Sequence, residues 1–397
     1  MAGPLEGIRV LDLTRVLSGP WCTMMLSDLG AEVVKIEEPG RGDYSRAYGP
    51  PFQEGESVYF MGYNRGKRSV TLNLKHPRAR EVLQGLVSKV DILVHNYLPD
   101  WVDRAGLDYE TLIQVNPNLV YCWISGYGED GPYSSRGAMD LIAMGLSGAM
   151  SVTGQPDGPP VKSSISFADI LAGYNAVVGI LAALRVRERT REGQKVSVNL
   201  LDSSVAALST MAYSYMATGE PPWRMAPDVH PSLSPAGTFR TSDGYINIAA
   251  ARDKEFSGMC RTLGIEHLLE DPNFSTNPDR VQNRKRLRET MEEVLLTRST
   301  SEWVTLFNTN GVLADRVNTI AEALAHPQTV HNQMEQTVQH PTAGPVKVMR
   351  TPVKLPNTPL SIQGPPPRLG EHTREVLASY LGLGDVEMAE LEREGVV

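Results

Sequence analysis

The chain has 397 residues, 41% apolar and 21% charged, with a formal net charge of −8. This is the composition of an ordinary folded protein long enough for two domains, and its acidic balance argues against general affinity for nucleic acid or an anionic membrane surface. A polyanionic ligand would need arginines and lysines gathered locally.

Residues 8–13 read as a short apolar strand. Gly19-Pro20 opens a helix through Leu29, Gly30 stops it, and 32–36 reads as the next strand, which makes a βαβ unit. The theme repeats with a strand at 69–74, a helix over about 77–89 and a strand at 91–94, and 118–125 is a further β-rich run. Residues 168–189 form a long helix, apolar on most positions and expected to be buried on several sides. A strand over 194–200 and a helix through Met216 follow. The Pro-rich GEPPWRMAPDVHPSLSP (219–235) breaks the periodicity and reads as a linker. Beyond it, 237–250 resembles a hairpin turning at Ser242-Asp243-Gly244, and helices near 253–264, 282–297 and 300–309 suggest a smaller α+β domain. A second Pro-rich stretch, 355–367, leads to a helical region over 371–394.

Cys22, Cys122 and Cys260 form no CxxC pair. They point to buried thiols in a reducing compartment rather than to a metal site or disulfides. The cytoplasm is the default location, with mitochondria following if a presequence has been removed. No uninterrupted apolar run approaches the 18 residues of a membrane span, so no membrane partner is expected.

Two local patterns invite functional readings. GYGEDG (126–131) matches GxGxxG, but Pro132 and a loop-like run follow it where a dinucleotide fingerprint requires a helix to open, so it is not read as one. Asp169, the only acid between Asp157 and Glu188, stands where a polar loop becomes the long apolar helix. Position alone leaves two readings: a first-turn acid favoured by the helix dipole, or a nucleophilic carboxylate able to attack a thioester.

The chain resembles the class III CoA-transferase (CaiB/BaiF, formyl-CoA transferase) family from end to end. The matching stretches include RVLSGP (15–20), LGAEVVKIE (29–37), NRGKRSVTLNLK (64–75) and HNYLPDWVDRAGLDYE (95–110). ISGYGEDGP (124–132), SRGAMDLIAMGLSG (135–148), VTGQPDGPPV (152–161), ADILAG (168–173) and LGEHT (369–373) complete the set. Within that family the likeness is greatest to succinyl-CoA:glutarate (dicarboxylate) CoA-transferases, through LDLTRVLSGP (11–20), NLLDSSVAALS (199–209) and TSDGYINIAA (241–250).

The resemblance implies an α/β fold: a large Rossmann-like domain built from N- and C-terminal segments, a smaller α+β domain, and an interlocked homodimer. The expected division is 1–218, a linker at 219–236, a small domain at 237–330 and a return segment at 331–397. It implies Asp169 as nucleophile, acyl-CoA and carboxylic acid as substrates, and no cofactor besides the CoA thioester itself. CoA contacts carry over to Val16, Leu17, Ser18, Leu72, Asn73, Leu74, Lys75, Asn96, Tyr97, Leu98, Arg104, Arg136, Gly137, Met139 and Asp140. Of these Lys75, Arg104 and Arg136 suit phosphates, while Glu38 stands where formyl-CoA transferases carry a CoA-contacting Arg. Acceptor contacts are expected among Arg15, Arg46, His230, Ser232 and Arg252, and His95 reads as a strand-end histidine satisfied by its surroundings. The alanines of IAAARDK (248–254) replace the Gly-rich lid of formyl-CoA transferases. An α-methylacyl-CoA racemase, which needs a second proton carrier where Met139 stands, is the alternative within the family, and a non-catalytic CoA-binding protein is the alternative outside it.

Overall fold

A computed structural model describes residues 3–397. The chain divides into two compact units. One contains the residues up to Gly148 with Ser163–Ser209 and Gln328–Val397; the other contains Ala149–Lys162 and Thr210–Pro327.

The first unit is built on a parallel six-stranded sheet. Its strands β1 (Arg9–Leu13), β2 (Glu32–Glu37), β3 (Lys67–Thr71), β4 (Ile92–His95), β5 (Val120–Ser125) and β6 (Gln194–Asn199) lie in the order β3-β2-β1-β4-β5-β6. This is the strand order of a doubly wound nucleotide-binding fold, with its reversal between β1 and β4. Parallel neighbours require crossovers, and helices supply them. The helices used below are α1 (Ser18–Asp28), α2 (Val58–Tyr63), α3 (Asp140–Leu146), α4 (Phe167–Thr190) and α5 (Leu200–Ala206).

Alternate strand residues face opposite sides of the sheet. Leu11, Leu13, Val34, Ile36, Val70 and Leu93 share a core with the helices Ala79–Val87, Thr373–Leu381 and Asp385–Arg393. The helical region expected over 371–394 is thus two helices. Gly382 ends the first in the left-handed conformation (φ 72°), which a side chain would disfavour. The opposite face, beneath α1, carries buried charges instead: Asp12, Lys35 and Lys67.

Helix α4 packs on α1, β5 and β6. Two glycines allow the close approach. A Cβ on Gly173 would stand 2.7 Å from the Ser18 carbonyl oxygen, and one on Gly179 would stand 2.6 Å from Val196 Cγ1. By length and composition α4 could cross a bilayer, a property that counting uninterrupted apolar runs did not reveal; a buried core helix has the same composition. Only 44% of its most apolar window is buried within the chain.

The second unit has an antiparallel sheet of Leu313–Arg316, Tyr245–Ala249 and Ala236–Arg240. Phe239, Ile248, Phe256, Met259, Leu287, Trp303 and Phe307 form its core. Its boundaries differ from the expected ones: it takes in 149–162, the helix Thr210–Thr218 and the whole Pro-rich stretch. That stretch is no free linker, because arginines of the helix Arg284–Leu295 hold it. Arg284 donates to the carbonyls of His230 and Pro231, Arg288 pairs with Asp228, and Met225 is buried.

Candidate functional site at the strand-order reversal

In a doubly wound sheet, ligands bind beyond the carboxyl ends of the strands where the order reverses. Here that is the crevice between the segments leaving β1 and β4. Three contacts fix it. Arg15 N–H donates to Asn96 Oδ1 (3.0 Å), Asn96 Nδ2 donates back to the Arg15 carbonyl (2.9 Å), and Val16 N–H donates to Asp43 Oδ1 (3.1 Å). Val16 is held at φ 72°, a conformation that costs a β-branched residue energy and persists only where neighbours enforce it.

Behind this loop lies a buried ionic network. Asp12 accepts from Thr14 N–H and Oγ1, Thr23 Oγ1 and Lys67 Nζ; Lys35 pairs with Asp43 at 3.0 Å and donates to the Thr14 carbonyl. Glu37 receives Arg46 in a bidentate pair (2.7 Å to each oxygen), Ser69 Oγ and the Asp43 N–H. Burial opposes ionisation of Asp12, but Lys67 and Lys35 beside it prevail and hold its carboxyl far below the ordinary range. Burial likewise opposes the ammonium of Lys35, yet Asp43 and Asp12 raise it above its ordinary value.

Asp169 lies in the first turn of α4, where the helix dipole favours the ionised carboxylate. The turn is held by Asp140, whose Oδ1 accepts the backbone N–H groups of Ala168 (2.8 Å) and Asp169 (3.3 Å). One turn further, Gly173 rests against Ser18 and Trp21 of α1, which ties this end of α4 to the start of α1. Tyr59 and Tyr63 of α2 are close enough to feel its charge: burial chiefly raises both phenols above their ordinary values, with Asp169 the next cause at Tyr63 and, at Tyr59, a cause that follows the neighbouring Tyr63.

These tyrosines open a cavity of about 740 Å³. Trp21, Tyr48, Tyr59, Tyr63 and Tyr174 line it as a chain of ring contacts 5.1–5.9 Å apart. The cations in its wall are Arg65, Lys347 and Arg350, with Arg65 paired to Asp28 at 2.5 Å.

The residues implied by the family resemblance fall into groups. Val16, Leu17, Ser18, Asn96 and Tyr97 come together at the reversal, where the Arg15 guanidinium lies between the rings of Tyr44 and Tyr97 (4.8 and 4.9 Å). Leu98 is exposed just beyond. At the end of β3, Leu72 buries its side chain in the core, leaving only its backbone for a ligand. Asn73 is bonded to the carbonyls of Val396 and Gly395, Leu74 packs on the core, and Lys75 reaches Glu38 (3.1 Å). Arg104 donates to the Asp100 carbonyl, Arg136 stacks on Tyr133 (3.9 Å), and Gly137 and Met139 are exposed before the buried Asp140. Asp140 thus serves as the cap of α4. Arg46 is spent on Glu37 and the Pro367 carbonyl, a structural use that competes with acceptor binding.

His230, Ser232 and Arg252 belong to the second unit. There Ser232 N–H donates to His230 Nδ1, Asn277 donates to the Ser232 carbonyl, and Arg252 pairs with Glu255. The 250–253 segment is anchored, since buried Arg280 donates to the Ala251 carbonyl and to Asp253. His95 is buried between Tyr121 and Trp123. Its Nδ1 accepts the Tyr97 N–H, while its Nε2 has no hydrogen-bond partner among the described residues, so the satisfied histidine expected there is only half satisfied. Burial, with Lys195 adding to it, pulls His95 down to about 3.

Comparison with known proteins finds relatives over nearly the whole chain. Residues 5–373 match the family model of CoA-transferase family III. A succinyl-CoA:glutarate CoA-transferase of Mus musculus is 39% identical over 394 residues, 99% of this chain and 90% of the relative. A succinate–glutarate CoA-transferase of Agrobacterium fabrum is 39% identical over 94% of this chain and 95% of its own. Among solved structures, a CAIB/BAIF family protein from Brucella suis matches with a TM-score of 0.86 and 38% identity, over 96% of this chain and all of that one.

Proposed function

The chain is an enzyme of CoA-transferase family III, and from that premise we propose that it moves CoA from succinyl-CoA to a small dicarboxylate through a covalent intermediate on Asp169. The observation that carries the assignment is the position of Asp169, one turn from the contact between Gly173 and Ser18 at the strand-order reversal.

The thioester carbonyl of the donor is attacked by the Asp169 carboxylate. CoA thiolate leaves, and a mixed aspartyl–succinyl anhydride forms. The thiolate then attacks the aspartyl carbonyl of the anhydride, which releases succinate and leaves an aspartyl-CoA thioester. The acceptor carboxylate attacks that thioester, expelling the thiolate and forming a second anhydride. Attack by the thiolate on the acceptor's own carbonyl yields the new acyl-CoA and restores Asp169. Anhydrides hydrolyse readily, so the site must exclude water. Remote contacts along CoA can hold the reacting carbonyl in place.

Support for a dicarboxylate acceptor comes from the glutarate-linked names of the Mus musculus and Agrobacterium fabrum relatives and from Arg350 in the wall of the aromatic cavity, where Arg65 and Lys347 are already paired with Asp28 and Glu335. The enzyme works as a homodimer in this reading. Helices α3, α4 and α5 pack on one another and leave Leu141, Ile142, Leu146, Phe167, Val178, Leu181 and Val205 exposed, an apolar face of the kind that marks an interface. Met139, beside Asp140, carries no exchangeable proton, which disfavours the two-base racemase alternative.

Incubation of the enzyme with succinyl-CoA and a panel of mono- and dicarboxylates tests the proposal. Formation of a dicarboxylyl-CoA with release of succinate is expected. Exchange of the α-proton of a 2-methylacyl-CoA without any acceptor acid, and no transfer, would refute it.

A further inference from the structure

Among the buried titratable groups outside the reaction itself, one side chain ties together the elements that surround Asp169. Lys67, on β3, is 3% exposed. Its Nζ lies 3.0 Å from Asp12 Oδ2 on β1, 3.1 Å from the Pro20 carbonyl in the first turn of α1, and 2.9 Å from Asn64 Oδ1 at the end of α2. An ammonium has three N–H donors, and all three find an acceptor on a different element.

Each of these elements borders the site. Pro20 stands two residues beyond Ser18, in the turn that receives Gly173. Asn64 caps α2 and donates to the Phe60 carbonyl; the same helix carries Tyr59 and Tyr63, which feel the charge of Asp169. Asp12 accepts from Thr14, where the chain leaves β1 for the 15–18 loop.

Resting on the transferase reading above, we propose that Lys67 is a positioning residue of the reaction: its ammonium clamps the first turn of α1 and the end of α2 to β1 and so fixes two walls of the Asp169 site. A buried ion pair is weak evidence for stability, because a well-packed apolar pair can stabilise as much. What an apolar pair cannot supply is three donors aimed at three elements.

The groups that face Lys67 are Asp12 on β1, Lys35 on β2, Asp43 after β2 and Cys22 on α1. Burial, and after it Lys35, lower the ammonium to about 8 against the pull of Asp12. Above that pH the neutral amine keeps two donors for three acceptors, and the clamp slackens.

The test compares wild type with K67M and with D12N/K67M, in which both buried charges are removed together. CoA transfer from succinyl-CoA is followed from pH 6.5 to 9.5, alongside thermal unfolding of each protein. Small misplacements of reacting groups are costly, so the folded double variant should lose roughly tenfold to a hundredfold in kcat with little change in KM for succinyl-CoA. The wild-type kcat should fall through a midpoint near 8, and that limb should be missing in the double variant. A folded double variant with wild-type kcat overturns the proposal. So does a wild-type kcat that stays flat to pH 9.5, a result that needs no variant to fold. A wild type that transfers CoA to no acceptor overturns the transferase reading, and this inference with it.

Discussion

Replacing Gly173 by Ala separates two opposed physical effects by their sign. Gly173 lies inside α4, where Ala is the better helix former by about 1 kcal/mol, so propensity alone predicts a more stable protein. Packing predicts the reverse. The added Cβ would stand 2.7 Å from the Ser18 carbonyl oxygen, 3.0 Å from Trp21 Cδ1 and 3.3 Å from Trp21 Cβ. The nearest of these atoms is backbone and cannot rotate away, so α1 and α4 must part by several tenths of an ångström. Overpacking of this kind costs about 1–3 kcal/mol, which outweighs the propensity gain. With about 2–4 °C lost per kcal/mol in a domain of this size, G173A should melt several degrees below wild type. Gly62, in α2, is the control: a Cβ added there would meet nothing within 4 Å, so G62A should be neutral or stabilised. Calorimetry and urea unfolding measure both variants. Because the displaced atoms belong to Ser18 and Trp21, G173A should also lose CoA transfer more steeply than stability. A G173A protein as stable as wild type would refute the close helix crossing on which the placement of Asp169 depends.

Three further outcomes follow from the same geometry. D140A removes the acceptor for the Ala168 and Asp169 N–H groups and should cost about 1 kcal/mol, the usual value of a cap, with a marked loss of activity; D140N keeps an acceptor oxygen and should retain most of both. His95, held at about 3 by burial and by Lys195, is neutral in the fold while the unfolded chain takes up its proton near pH 6.5. Stability is therefore lost as pH falls from about 6.5 towards 3, by at most about 1.4 kcal/mol per pH unit; H95F should flatten urea midpoints between pH 7 and 5, and an unchanged slope would contradict it. E38A releases Lys75 from its 3.1 Å pair and should lower KM for succinyl-CoA by up to about fivefold, since exposed pairs hold about 1 kcal/mol or less. A raised KM would show that Glu38 serves the ligand.

The sequence displayed the parts of the fold that depend on local pattern. The first βαβ unit, the hairpin about Asp243 and the start of α4 at Asp169 follow from periodicity and turn residues. What it concealed depends on distant partners. EVVKIE and KRSVT alternate as half-exposed strands do, yet α1 covers their polar face, and Lys35, Glu37 and Lys67 are buried in a network that reaches Asp12 and Asp43. The Asp140 cap lies 28 residues before Ala168, so no capping pattern reveals it. The Pro-rich stretch looked like a linker because its restraints, Arg284 and Arg288, lie more than 50 residues downstream. Tyr59 and Tyr63, spaced four apart on α2, were the one local signal of the aromatic wall near Asp169.

The central claim is that Asp169 becomes covalently bonded during turnover. Trapping the working enzyme with hydroxylamine or borohydride, followed by peptide mass spectrometry, tests it most directly. A modified Asp169 that appears only when succinyl-CoA is present is the expected result. An unmodified Asp169, together with an Asp169→Ala enzyme that still transfers CoA, would contradict it.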